Sequence, residues 1–326
     1  MELENQDLEG ILILDGGFST QLVKYVGPNV DGDPLWSARY NATKPKDVIQ
    51  THLDYLRAGA DAIITNTYQA SIEGYMEHLG LTRQQSKDLM FNTAKLALRA
   101  RYLYEKENPE SNRRPLVMGS VGPYGAHLHD GSEYSGSYAK TITKEEIQEW
   151  HRPRIEALIN AGVDGLAIET IPCQLEAEAL VELIVNEYPG TKAWLSFQCQ
   201  DESRLAHGEL FRDAALSCWE LARESQCLLA VGVNCVHPKY AVGLCKFLNR
   251  DQMPQIPLVV YPNSGENYTP TEGWKDKDRC VPVQDYVSSW LDSGATFIGG
   301  CCRTDDEDIR NIRKSVIRWI NKRELN

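Results

Sequence analysis

The sequence predicts a single (β/α)8 barrel with parallel strands, an α/β fold, and three observations point there. Eight short apolar runs recur along the chain, helical patterns separate them in strict alternation, and 326 residues suit one such barrel, which typically takes about 250 residues and accepts insertions. The runs are near-continuously apolar, as parallel strands buried on both faces are. An open doubly wound sheet is the rival, but its dinucleotide fingerprint is absent after the first run, where the chain reads Asp15-Gly16-Gly17-Phe18-Ser19. No linker or low-complexity stretch divides the chain, so residues 1–326 read as one domain.

In order, the expected strands are Ile11–Asp15, Ala62–Asn66, Leu116–Ser120, Gly165–Glu169, Ala193–Gln198, Leu229–Asn234, Leu258–Tyr261 and Thr296–Gly300. Helical periodicity covers Lys46–Ala58, Arg83–Glu107, Lys144–Ala161, Leu175–Tyr188, Arg212–Glu224, Lys239–Leu248, Val283–Asp292 and Asp305–Trp319. Thr143 with Glu146 three residues later spells a capping box, and Thr304-Asp305-Asp306-Glu307 an acidic first turn. Gly59, Gly162 and Gly294 stand where helices close before the next strand. Long loops, Phe18–Thr43, Val121–Thr143 and Pro262–Pro282, follow strand ends, the active-site face of a barrel. The second, rich in Gly, Tyr, Ser and His, has the composition of a lid.

The net charge of -12 and a pI near 5.1 argue against a nucleic-acid or anionic-membrane partner and mildly favour a cationic substrate. Nine cysteines without small-domain disulfide spacing suit a reducing compartment. Met1–Gly10 lacks a charged-then-apolar leader, and no apolar run approaches membrane-spanning length. A soluble, cytoplasmic protein is expected.

Chemistry-bearing residues gather at the strand ends: Asp15, Asn66-Thr67, Glu169-Thr170, Asn234-Cys235, Asn263-Ser264-Gly265-Glu266 and Cys301-Cys302. Adjacent cysteines serve one site only where a strand ends and the chain turns, and Gly299-Gly300 permits a turn. Cys235 closes an earlier run, so two strand ends could bring three sulfurs together. Three thiolates with an open fourth position describe a catalytic zinc site, although free cysteines are commonly buried small hydrophobes. Asp15 and Glu169 together suit an ammonium, and the Gly17 and Phe18 amides a carboxylate, the two ends of a free α-amino acid. The histidines lack helical zinc spacing; His127 and His129, in the second loop, are more simply solvated. A zinc thiolate site of this kind activates a substrate thiol for alkyl transfer.

These stretches resemble the zinc-dependent homocysteine S-methyltransferases over nearly the whole chain. The matching pieces are Asp15-Gly16-Gly17, Asn66-Thr67-Tyr68-Gln69-Ala70-Ser71, Gly119-Ser120-Val121-Gly122-Pro123 and Glu169-Thr170-Ile171-Pro172. Gly232-Val233-Asn234-Cys235, Tyr261-Pro262-Asn263-Ser264-Gly265-Glu266 and Gly299-Gly300-Cys301-Cys302-Arg303-Thr304 complete them. The resemblance implies a barrel whose Cys235, Cys301 and Cys302 bind Zn2+, with the homocysteine sulfur as fourth ligand. It also implies that Asp15 and Glu169 meet the homocysteine ammonium while the backbone after Asp15, Gly17 and Phe18, receives its carboxylate. Asn66, Asn234 and Glu266 are further expected substrate contacts, Glu266 toward the ammonium of the methyl donor.

Within the family, Thr170 replaces the aromatic residue of the betaine-using branch, and the chain stops about two dozen residues after Cys302, without that branch's C-terminal arm. The cobalamin-dependent branch needs further modules. The expected branch therefore uses S-methylmethionine, with S-adenosylmethionine as a second donor, and methylates selenium analogues such as selenocysteine or selenohomocysteine. Phe18-Ser19-Thr20 departs from the triplet common in the family. Tyr68, Tyr124 and Trp36 are the candidate aromatic walls for a sulfonium. The rival readings are a betaine-homocysteine methyltransferase and a non-catalytic zinc-thiolate redox sensor. Oligomeric state is not legible.

Overall fold

The computed structural model describes residues 8–269 and 273–324. Eight parallel strands form its centre: β1 (Leu12–Ile13), β2 (Ala62–Ile64), β3 (Leu116–Val121), β4 (Gly165–Ile171), β5 (Ala193–Phe197), β6 (Leu228–Asn234) and β7 (Leu258–Tyr261), then β10 (Ala295–Ile298). Between β7 and β10 lies a separate antiparallel hairpin, β8 (Asn267–Thr269) and β9 (Gly273–Lys275). The order is β1-β10-β7-β6-β5-β4-β3-β2. A parallel bridge between Leu14 and Ala62 brings the two ends together. Each expected strand is present with its ends moved by a few residues.

The helices are α1 (Phe18–Val26), α2 (Arg39–Thr43), α3 (Pro45–Ala58), α4 (Ile72–Leu79), α5 (Arg83–Glu107), α6 (Tyr124–Leu128) and α7 (Lys144–Ala161). They continue with α8 (Gln174–Glu187), α9 (Phe211–Leu221), α10 (Pro238–Leu248), α11 (Val287–Asp292) and α12 (Asp306–Glu324). The Thr143–Glu146 capping box forms in both directions, at 3.2 and 2.8 Å. Gly59 and Gly162 close α3 and α7 with φ of 99° and 86°, a left-handed conformation that glycine adopts without steric cost.

Two expected loops are partly helical. Phe18–Thr43 holds α1 and α2, because Phe18, Leu22 and Val26 recur at helical spacing, and Leu22 is buried. Val121–Thr143 holds α6 and two 3-10 turns, Ser132–Tyr134 and Ser137–Lys140. The helix α4 was not expected; Ser71 caps it by accepting the Gly74 amide at 2.9 Å.

Alternation along each strand divides the core. Leu14, Ala62, Met118, Ala167, Trp194, Ala230, Val259, Tyr261 and Phe297 fill the barrel interior, while Ile13, Ile63, Val117, Ile168, Leu195, Val231 and Val260 face the helices. Trp194 is fully buried, its ring centroid 5.9 Å from Phe297 and 6.3 Å from Tyr261. Burying a side chain of this size stabilises by roughly 1.5–3 kcal/mol. Among the described residues no helix is long and apolar enough to cross a membrane.

Candidate active site

The C-terminal ends of the strands carry the site. Cys235 follows β6 with φ of 53°, and Arg303, after the adjacent cysteines, has φ of 66°. These two residues, rather than Gly299 and Gly300, take the left-handed conformations. The Gly300 hydrogen is needed for close approach: a Cβ there would lie 2.2 Å from Thr304 Oγ1. Thr304 tightens the turn, its amide and hydroxyl donating to the Cys301 carbonyl at 3.1 and 2.7 Å. The Cys301 amide donates to the Pro262 carbonyl, and the Ser264 amide to the Cys302 carbonyl, at 2.8 and 3.1 Å, so the loop after β7 locks the same turn.

The three sulfurs lie within 4.8 Å of one another. Bonds of about 2.3 Å to a tetrahedral zinc would place neighbouring sulfurs about 3.8 Å apart, and Cys235 Sγ stands 3.8 Å from Cys302 Sγ. The donor set therefore fits the ion in chemistry and spacing. Cys235 is buried while Cys301 and Cys302 are partly exposed, leaving one side of the cluster open. Crowded thiols share protons: hydrogen bonds from Cys301 and Cys302 hold Cys235 well below its ordinary range, and those with Cys235 hold the other two well above theirs. All nine cysteines are free. Among the described residues no other group of three or more potential ligands meets. His127 and His129 instead pair with Ser71 and Gln69, at 3.1 and 2.9 Å.

Two buried carboxylates feel each other, and Glu169 also feels the charge of Cys235. Asp15 is 2% exposed and accepts the Ile64 amide at 2.8 Å. Burial raises its pKa well above the carboxylate range, and the charge of Glu169 adds to the rise. Glu169, also buried, accepts the Ser120 hydroxyl, and burial lifts it to about 7. Two buried acids that resist ionising together form a receptor for a cation. Asn234 is fixed at both ends of its amide, accepting the Thr170 amide and Ser196 hydroxyl at 2.7 and 2.8 Å and donating to Thr170 Oγ1 at 2.8 Å. Its amide nitrogen also lies 4.0 Å from Cys301 Sγ.

Three expected contacts stand differently. The Gly17 amide is already spent on the Thr304 carbonyl at 3.0 Å, and a Cβ on Gly17 would come within 2.5 Å of the Cys301 carbonyl oxygen. The bare amides begin one residue later. α1 starts without a capping side chain, so Phe18, Ser19 and Thr20 keep free N–H groups at the end of β1. Asn66 turns to the first loop: its amide donates to the Ser37 carbonyl and Asn41 Oδ1 at 2.9 and 2.8 Å and accepts the Ser37 hydroxyl at 2.6 Å. Both donors and one lone pair of that side chain thus anchor the loop. Glu266 is buried in an ion pair with Arg303 at 3.0 Å.

Of the candidate aromatics, Tyr68 meets Trp36 edge-on at 6.3 Å, and after burial the charges of Glu133 and Cys235 act most on its hydroxyl. Tyr124 belongs to another cluster, against Trp150 and Tyr138 at 5.1 and 5.5 Å. Glu133 and Tyr134 were not among the expected site residues. The Tyr134 hydroxyl lies 3.8 Å from Cys235 Sγ, and Glu133 has a buried carboxylate oxygen, Oε2, without a partner. Burial raises Glu133 to about 7. Only the odd density of Gly, Ser and Tyr in this loop marked it in advance.

The sequence profile described as homocysteine S-methyltransferase matches residues 12–316. The chain belongs to the homocysteine S-methyltransferase family. A betaine-homocysteine S-methyltransferase of Drosophila melanogaster is 48% identical over 96% of each chain. A homocysteine S-methyltransferase of Escherichia coli (strain K12) is 42% identical over 94% of this chain and 96% of its own. The crystal structure of the Escherichia coli homocysteine methyltransferase MmuM in its metallated form superposes with a TM-score of 0.81 at 40% identity, over 96% of this chain and 98% of that one. As a family member, the chain is an enzyme that methylates homocysteine. The relative at 48% identity is named for betaine, and the Escherichia coli one, at 42%, for homocysteine alone.

Proposed function

We propose that this enzyme transfers a methyl group from a sulfonium donor, S-methylmethionine first and S-adenosylmethionine second, to homocysteine, giving methionine. Cys235, Cys301 and Cys302 would hold Zn2+, which when bound keeps the homocysteine thiol deprotonated and nucleophilic at neutral pH. The observation that carries the reading is the convergence of three sulfurs, one pair 3.8 Å apart, beside the buried acids Asp15 and Glu169.

The chain's own residues supply position and charge. Asp15 and Glu169 receive the homocysteine ammonium, which lets both ionise. The first-turn amides of α1, from Phe18 onward, receive the carboxylate. Asn234, pinned by Thr170 and Ser196, holds the strand end beside Cys301. In the transfer the donor's S–CH3 bond breaks, its electron pair stays on the leaving thioether, and a new S–CH3 bond forms at homocysteine. S-methylmethionine thus yields two methionines. Selenium analogues fit the same acceptor site. The free cysteines accord with a reducing, cytoplasmic setting.

A cationic donor is supported by Glu133, whose carboxyl lies close enough to Cys235 to feel its charge, and by Glu266, which already holds the Arg303 guanidinium. The Drosophila relative's name favours betaine as the second reading. Supplying homocysteine with each of S-methylmethionine, S-adenosylmethionine and betaine, and measuring methionine, decides between them. Turnover confined to betaine would replace the sulfonium reading. No methionine above a zinc-stripped control with any donor would leave a zinc-thiolate sensor.

A further inference from the structure

A second charged wall faces the thiol cluster from the loop between β3 and α7. Its 3-10 turn Ser132–Tyr134 sets the Tyr134 hydroxyl 3.8 Å from Cys235 Sγ and leaves Glu133 Oε2 buried with no hydrogen-bond partner. The turn is firmly built. The Gly136 amide donates to the Ser132 carbonyl at 2.7 Å, the Ser132 amide to Asp130 Oδ1 at 2.9 Å, and a Cβ on Gly125 would meet the Glu133 nitrogen at 2.6 Å. Leaving a carboxylate oxygen buried and unpaired is costly, so such an atom calls for a hydrogen-bond donor carrying positive charge. The homocysteine ammonium is already provided for by Asp15 and Glu169, and Glu266, though its Oε1 is likewise buried without a partner, already has a guanidinium, that of Arg303, on Oε2. A sulfonium centre has no hydrogen to give. The group left over is the ammonium of a methyl donor that is itself an amino acid.

We propose that Glu133 binds the α-ammonium of an amino-acid sulfonium donor, with Tyr134 and Tyr68 walling the channel between that ammonium and the thiol cluster. Glu133 is thus the specificity residue for donors with an amino-acid head, a role expected of Glu266 from the sequence. This rests on the sulfonium reading above, and wild-type turnover of S-methylmethionine tests that reading separately.

The experiment compares zinc-loaded wild type, Glu133→Gln and Glu133→Asp at saturating homocysteine, with S-methylmethionine and with trimethylsulfonium, which has no ammonium. Glu133→Gln is expected to raise the KM for S-methylmethionine at least tenfold and to change the kcat/KM for trimethylsulfonium less than twofold, with zinc content and homocysteine KM unchanged. Glu133→Asp recovers part of the loss. Equal losses with both donors, or no change in the S-methylmethionine KM, would overturn the assignment. A thermal melt identifies misfolding of the Gln variant, in which case Glu133→Asp carries the same comparison. Glu266→Gln is expected to affect both donors alike, and selective loss of S-methylmethionine there would return the role to Glu266.

Discussion

A single side chain decides most where the alternatives to it are costly, and the three cysteines are such a case. Three protein sulfurs leave no spare ligand for a catalytic ion. Cys235→Ala, Cys301→Ala and Cys302→Ala are each expected to lose nearly all bound zinc, measured by metal analysis after gel filtration, while Cys199→Ala retains it. Full occupancy in any of the first three would refute the ligand set. Glu169 carries a second prediction. Its carboxyl sits at about 7 in the folded chain against an ordinary 4.5. The native state therefore keeps a proton that the unfolded chain releases, and the stability this gives, complete below about pH 4.5, is lost as pH rises through 7. The loss is on the order of 3 kcal/mol for the free enzyme. Denaturant unfolding at about pH 5 and pH 8 should show a fall in wild type that is smaller in Glu169→Gln, where Asp15 and Glu133 still contribute theirs. A wild-type slope matched by the variant would discard the assignment. Homocysteine brings the missing positive charge, so its affinity should rise over the same interval. The acids and sulfurs were legible because their residue types are unusual at strand ends. The loop bonds of Asn66 were not legible, because an asparagine at a strand end looks the same in sequence whether it faces a substrate or ties down a loop.

At the level of elements, the expected lid between β3 and α7 hangs on one buried acid. Glu176, fully buried on α8, accepts the Tyr124 amide and His151 Nε2 at 2.7 and 2.8 Å, and the Tyr138 hydroxyl as well. Two of these three donors come from the lid. Tyr138→Phe should free that part of the chain by about 1.5–3 kcal/mol, the worth of a hydrogen bond to a charged group. Hydrogen exchange would quicken across residues 124–138 and stay slow in the barrel strands, and the donor KM would rise more than the homocysteine KM. Uniform quickening would mean that Glu176 supports the barrel and not the lid. Strand and helix positions were legible from periodicity, since β2 through β7 are short apolar runs between capped helices. The local order of the loops was not. α6 has five residues and the turn of Glu133 three, too few for a periodic signal, and their conformation is set by contacts with residues far along the chain.

Across the whole molecule, stability and chemistry draw on different sources. The barrel interior and the layer beneath the helices hold the fold, and one ion adds little to a core of this size. Chelation should abolish methionine formation while moving the melting midpoint by only a few degrees, on the scale of about 2–4 °C per kcal/mol for large domains. Unfolding on chelation would mean that the ion is structural. Strand order also explains how the site is joined. β10 lies between β1 and β7, and the turn after it is tied back to the start of α1: the Gly17 amide to the Thr304 carbonyl, the Arg303 amide to Thr20 Oγ1, and the Tyr55 hydroxyl to the Gly17 and Thr304 carbonyls, at 2.9 and 3.2 Å. The start of α1 and the thiol turn are thus one seam, made from the first and last strands of the barrel. On the ribosome that seam cannot exist until residues 295–304 have emerged, so a nascent chain displays Cys235 without its two sulfur partners, and the proposed zinc site can be loaded only after synthesis of the last strand. A translation product arrested before residue 295 should take up no zinc with thiolate character, whereas the finished chain should acquire the metal and the ability to bind homocysteine in the same event.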